Sequence, residues 1–178
     1  HIIFRFKNFK LIYNDPRRFG FFKILKNKKD YLKFFTRIGP EAISKDFNKK
    51  YLDKILKNRT KNIKNLLLDQ KLVSGLGNIY VNEILFQAKI NPFRKSYLIN
   101  LDENKRIVKY SKIILKKAIH FGGSSIRNFK GVTGKSGNFQ SEFKVYDRAK
   151  KRCSRNNCSG QISRKIISNR STFICSVC

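Results

Sequence analysis

Between Thr60 and Pro92 the chain reads TKNIKNLLLDQKLVSGLGNIYVNEILFQAKINP, two apolar patterns either side of a glycine-rich turn. Ile63, Leu66 and Leu67 recur at i, i+3 and i+4, and Ile79, Val81, Ile84, Leu85 and Ala88 do so more loosely, predicting two helices with core-facing sides. Asn78 can act as N-cap of the second, which begins at Ile79, after Gly75 and Gly77, which can take positive φ and let another backbone approach closely. A helix start presents free N–H groups and a partial positive charge, so the turn is a candidate phosphate seat. An ordinary helical hairpin is the alternative.

Upstream, Phe4 and Phe6 alternate with Arg5 and Lys7. Phe9, Leu11 and Tyr13 alternate with polar neighbours, and Phe19 to Leu25 is a third apolar run, so residues 1–25 read as a three-strand meander. Its expected partners lie upstream of His1, where an apolar run is already under way. The Asn14–Gly20 loop offers Arg17, Arg18 and Phe19 for groove insertion, or a solvated turn with a core ring. Short helices are predicted around Tyr31–Phe35 and Phe47–Leu56. A long one follows Asn100, which with Glu103 makes a capping box, and Ile107, Ser111, Ile114, Leu115 and Ala118 face inward. It stops at Gly122-Gly123. Ser124–Gln140, with Gly131, Gly134 and Gly137, is a long loop, either functional or plain surface.

Charge changes this picture. The 178 residues carry 41 Lys and Arg against 11 Asp and Glu, a formal net charge of +30, so a polyanion is the expected partner. No run of about 18 apolar residues predicts a membrane span. The four cysteines fall within the last 26 residues as Cys153-x4-Cys158-x16-Cys175-x2-Cys178. Two short pairs bracketing β-like runs on either side of Ser168-Asn169 predict a four-cysteine zinc site closing a β-hairpin, with no other core. Two disulfides are the competing reading. Arg164, Lys165 and Arg170 populate the hairpin, with Arg170 at its turn.

Asp15-Pro16-Arg17-Arg18-Phe19-Gly20, Ile38-Gly39-Pro40-Glu41, Ile63-Lys64, Leu67-Leu68-Asp69-Gln70, Gly75-Leu76-Gly77-Asn78-Ile79-Tyr80, Gly122-Gly123-Ser124-Ser125, Val145-Tyr146-Asp147-Arg148 and the terminal cysteines stand in order and at family-like spacing. Together they resemble the bacterial formamidopyrimidine-DNA glycosylase family. The resemblance implies a mainly α fold: a helix-two-turn-helix domain over residues 26–140, a β-hairpin zinc finger over 141–178, and the remnant of a catalytic β-sandwich over 1–25. It implies a cytoplasmic, nucleoid-associated bacterial monomer that binds one zinc ion through Cys153, Cys158, Cys175 and Cys178. Its substrate would be double-stranded DNA containing oxidised purines such as 8-oxoguanine, flipped out, excised and followed by strand nicking.

Residue by residue, Asn78 resembles the phosphate-binding asparagine, Arg59 matches another backbone contact, and Lys64 and Tyr146 resemble residues gripping the backbone at the flipped nucleotide. Arg17 and Phe19 match the pair facing the orphaned base, and Arg170 the zinc-finger arginine of phosphate binding and δ-elimination. Arg127, Gly131, Thr133, Lys135 and Asn138 fall in the family's lid loop. Asn138 replaces a usual aromatic, and Asp147 a common glycine. The proline nucleophile, its adjacent glutamate and a hairpin lysine have no counterpart, so a polypeptide of these residues alone is expected to be inactive. An endonuclease VIII-type enzyme for oxidised pyrimidines and a non-catalytic damaged-DNA-binding module are the alternatives.

Overall fold

The protein is described by a computed structural model covering residues 2–15, 18–124 and 137–178. The chain divides into two compact units, His1–Thr36 and Arg37–Cys178.

In the first, β1 (Ile2–Arg5) and β2 (Lys10–Tyr13) pair antiparallel, with Ile2 opposite Tyr13 and Arg5 opposite Lys10. The third strand expected over Phe19–Leu25 does not form. A strand's backbone groups are satisfied only by a neighbour's ladder, and neither β1 nor β2 pairs with this run. Phe22 instead sets its ring against Phe4 and Tyr13, at centroid distances of 5.5 and 4.7 Å. No described residue of this unit is buried. The expected β-sandwich remnant is therefore a lone two-stranded hairpin, followed by α1 (Lys28–Phe35), whose N-cap Asn27 accepts the Asp30 N–H.

The second unit holds α2 (Lys49–Leu56), α3 (Ile63–Leu68), α4 (Asn78–Gln87) and α5 (Leu101–His120). Asparagines start three of them: Asn48, Asn62 and Asn100 accept N–H groups from Tyr51, Asn65, and Asp102 with Glu103. The expected capping box is formed, Glu103 accepting the Asn100 N–H at 2.9 Å. The apolar stripes meet in one core, with Leu52, Ile63, Leu66, Leu67, Val81, Ile84 and Ile107 wholly shielded from solvent. The inward face predicted for α5 is the buried one. Among the described residues no helix is long and apolar enough to cross a membrane.

The segment before α2 braces the turn between α3 and α4. Gly39 donates to Gln70 O, Ala42 to Ser74 O, and Ser74 returns a bond to Pro40 O. A Cβ on Gly39 would meet the Leu72 carbonyl at 2.4 Å, so only glycine permits this approach.

At the C-terminal end β3 (Ile162–Ile167) and β4 (Arg170–Cys175) form the expected antiparallel hairpin. Ser168 and Asn169 both take left-handed φ, 46° and 60°, the two-residue turn whose twist matches the strands. The tail has a core besides its thiols, contrary to expectation: Val145, Ile162 and Phe173 join Cys153, Cys158 and Cys175 around Phe86, which α4 supplies.

One buried carboxylate ties this tail to α4. Glu83 accepts the N–H groups of Lys144, Val145 and Tyr146 at 2.8–3.1 Å. Burial pushes its pKa above the ordinary carboxylate value, while the backbone donors pull it back only in part. Glu83→Ala strips three N–H groups of their acceptor, and an expected loss of about 3–5 kcal/mol is read by urea unfolding of the full chain. The carboxyl is neutral in both states at low pH, and stability falls as pH rises from its unfolded value through the raised folded one. Glu83→Gln should flatten that segment of the stability–pH profile.

Candidate nucleic-acid interface and metal centre

The turn Ser74–Asn78 owes its shape to one side chain. Gln70 accepts the Gly75 N–H at 3.0 Å and donates to Leu76 O at 2.8 Å, and Gly75 takes φ +82°. Gly77 has φ −107°, so of the two glycines only Gly75 uses the left-handed region. The N-cap of α4 is Gly77, not Asn78. Asn78 is the first helical residue. Nothing lies within 4 Å of a Cβ built on Gly75 or Gly77, so the turn is open above both glycines. Among the described residues the N–H groups of Asn78, Ile79 and Tyr80 meet no backbone carbonyl. Open approach and the positive end of a helix keep this turn a candidate anion seat.

The C-terminal hairpin leans on this seat. Asn78 Nδ2 donates to Ser171 O at 3.0 Å. Lys64 Nζ donates to the same oxygen at 2.9 Å and to Thr172 Oγ1 at 2.8 Å. Lys64 and Thr172 are both completely buried. Burial, then the neighbouring Arg170 cation, brings the Lys64 ammonium down to about 8. Arg170 is exposed and immediately precedes Ser171 at the start of β4. The structure thus gathers Lys64, Asn78 and the Arg170 backbone into one contact network, drawn from three stretches of sequence.

Tyr146 joins by another route. Its N–H is held by Glu83, and its ring packs edge-on against Phe173 of β4 at 5.0 Å. Asp147 follows with φ +56°, in the left-handed region that glycine favours. Arg59 is half-buried beside Tyr51, whose hydroxyl donates to Leu72 O, and among the described residues no hydrogen bond joins it to the Asn78 network. In the other unit, Asp15 accepts the Gly20 N–H at 2.6 Å, closing the expected turn, and Phe19 is 77% exposed. Arg17 lies outside the described residues, as do Arg127, Gly131, Thr133 and Lys135 of the lid loop. Asn138, at the loop's exit, is exposed and donates its N–H to Phe121 O.

The four cysteines are free thiols whose sulfurs all lie within 4.8 Å of one another. Cys153 and Cys178, and Cys158 and Cys175, are each 3.6 Å apart. A tetrahedral ion with metal–sulfur bonds of about 2.3 Å places its sulfurs about 3.8 Å apart, so the set fits a zinc-sized ion without a disulfide. Cys175 Sγ accepts the N–H groups of Val177 and Cys178, both at 3.4 Å. Burial raises its pKa, but those donors and the neighbouring thiols overcome it and hold Cys175 down at about 6, whereas burial and the neighbouring thiols push Cys153 and Cys178 up.

Four polar residues escaped sequence reasoning. Glu83 and Asn82 sit among the apolar residues of α4, and Asn82 Oδ1 accepts the Phe173 N–H at 2.8 Å. Asn65 donates to Ser168 Oγ at 2.7 Å, and Thr172 receives Lys64. The available signal was the interruption of an apolar helical stripe by Asn82-Glu83.

Residues 38–130 match the formamidopyrimidine-DNA glycosylase H2TH domain, the helix-two-turn-helix module. Formamidopyrimidine-DNA glycosylases of Roseobacter denitrificans and of the Wolbachia of Culex pipiens are 42% and 40% identical to the chain over its whole length. The chain spans 64% and 65% of those relatives. Among solved structures, the Lactococcus lactis Fpg in complex with DNA containing an abasic site superposes with a TM-score of 0.87 at 36% identity, over 97% of this chain and 63% of that one. The Thermus thermophilus MutM (Fpg) protein does so with 0.86 at 31%, over 97% and 65%. A domain model covering half the chain and full-length similarity at this level agree with the geometry of the α3–α4 turn: the chain belongs to the formamidopyrimidine-DNA glycosylase family.

Proposed function

We propose that the chain forms the DNA-gripping part of a base-excision repair glycosylase that extrudes oxidised purines, 8-oxoguanine and formamidopyrimidines, excises them and nicks the strand. The observation that carries this reading is the open N-terminus of α4, where Asn78 reaches the hairpin that displays Arg170. Phosphates of a duplex seat against helix N-termini and arginine side chains, and such contacts fix register without reading sequence. Asn78, Arg59 and Arg170 are the proposed phosphate contacts, with Tyr146 beside the flipped nucleotide. Lys64 serves that grip from behind, through the hairpin. Arg17 and Phe19 are proposed to face the base left unpaired by flipping, where a ring and a guanidinium can fill the vacated stack. Arg127, Gly131, Thr133, Lys135 and Asn138 are assigned to the lid over the extruded base.

Residues 1–25 are proposed to belong to a catalytic domain, 26–140 to the helix-two-turn-helix domain and 141–178 to the zinc finger. Cys153, Cys158, Cys175 and Cys178 would hold one zinc, which supplies folding free energy rather than chemistry. Arg170 assists δ-elimination as a proton donor, and the amine nucleophile that opens the reaction is the proline of the family resemblance, absent from these residues. The unit acts as a monomer on double-stranded DNA, which sets a cytoplasmic, nucleoid-associated location.

Metal analysis of the purified chain should return about one zinc per chain, and Cys175→Ser should abolish it and weaken DNA binding. A metal-free chain with four oxidised thiols would overturn the assignment. With roughly three to five phosphates neutralised, log K for duplex DNA should fall against log salt with a slope of about −3 to −5. Arg59→Ala and Arg170→Ala should each reduce the slope by about one, while Asn78→Ala should weaken affinity at nearly constant slope. A polypeptide of these 178 residues should bind lesion-containing duplex yet form no borohydride-trapped adduct and release no 8-oxoguanine. Trapping by this polypeptide would place the nucleophile within it.

A further inference from the structure

Lys64 is the anomaly of the second unit: a completely buried lysine with no carboxylate partner among the described residues. A buried ammonium is costly unless its donors are all used. Here two of them are spent on consecutive residues of β4, Ser171 O at 2.9 Å and Thr172 Oγ1 at 2.8 Å. Thr172 in turn lies 3.3 Å from Arg170 O, donating to it. The turn before this strand is held by Asn65 at Ser168, and the strand itself by Asn82 at Phe173. Arg170 stands between those anchors, its own side chain exposed. An ammonium with no solvent exposure cannot meet a phosphate unless the hairpin first lifts away, whereas it sits one residue from the backbone that aims Arg170.

We propose that Lys64 is a positioning residue: through Ser171 and Thr172 it fixes the tip of the β3–β4 hairpin and thereby holds Arg170 towards the DNA, without itself contacting phosphate. The proposal rests on the DNA-binding reading above for its functional half, while its structural half stands apart from DNA. The like charge of Lys64 behind Arg170 adds to the effect, since repulsion favours the outward-facing guanidinium.

Thr172→Val tests this cleanly, because it removes Lys64's acceptor at constant shape and charge from a residue that is itself buried. On the full chain with its metal, hydrogen exchange without DNA should quicken about tenfold or more at amides 168–172 in Thr172→Val and in Lys64→Met, with zinc content unchanged. Unchanged exchange overturns the proposal whatever the DNA does. In duplex binding, Thr172→Val should weaken affinity about fivefold and Thr172→Ser should restore it, the loss expected of one hydrogen bond. In an Arg170→Ala background Thr172→Val should change affinity less than about twofold, the non-additivity of two residues acting as one. Full additivity, or a Thr172→Val chain that binds like the wild type, overturns it. A wild-type chain that binds no duplex would instead refute the DNA-binding reading, leaving the exchange result to decide whether Lys64 holds the tip.

Discussion

The Ser171 carbonyl accepts from both Asn78 and Lys64, and the candidate interface depends on this shared bond. It joins two helices of the Arg37–Cys178 unit to a hairpin about a hundred residues away in sequence. Because both donors come from rigid elements, the bond transmits position rather than merely adding stability. A hairpin tip secured only by its own two-residue turn would fray, since a lone two-stranded ribbon is marginal in water.

A second joint works at the opposite end of α4's polar step. Glu83 gathers three successive N–H groups and so fixes the backbone from Lys144 to Tyr146, while Phe86 on the next turn enters the cysteine core. The cysteine cluster and α4 therefore share the task of holding the tail. The thiols organise its ends, and α4 supplies the carboxylate, the amide of Asn82 and the aromatic that orient it. Phe173 links the two joints, its ring contacting Tyr146 and its N–H held by Asn82. The α3–α4 turn, the Arg170 strand and Tyr146 thus derive their relative placement from α3 and α4 together.

The His1–Thr36 unit follows a different balance. Its hairpin and α1 satisfy local rules, with alternating residues in register and an asparagine cap, but no described residue there is buried. Aromatic pairs with ring centroids 4.5–6.2 Å apart supply contacts there in place of a core.

Elements governed by local rules were legible in the sequence. The 3.6-residue stripes of α3 and α5, the Asn100–Glu103 box, the Ser168-Asn169 turn and the cysteine spacing each encode their own geometry, because capping, periodicity and ligand spacing act over a few residues. The excess of positive charge likewise announced a polyanion partner without any fold. What only tertiary structure decided were the long-range polar pairings. Lys64 is matched in sequence only to a residue that grips the DNA backbone, and its burial against Ser171 and Thr172 is visible only in the fold. Asn78 reads as a cap, yet Gly77 takes that place and the Asn78 amide meets Ser171. The run after Phe19 reads as a strand, yet no neighbour offers it a ladder. In each case the deciding partner lies far along the chain or on another strand, and hydrogen-bond satisfaction in a packed interior is settled by whichever groups the fold brings within 3 Å, which no local pattern specifies.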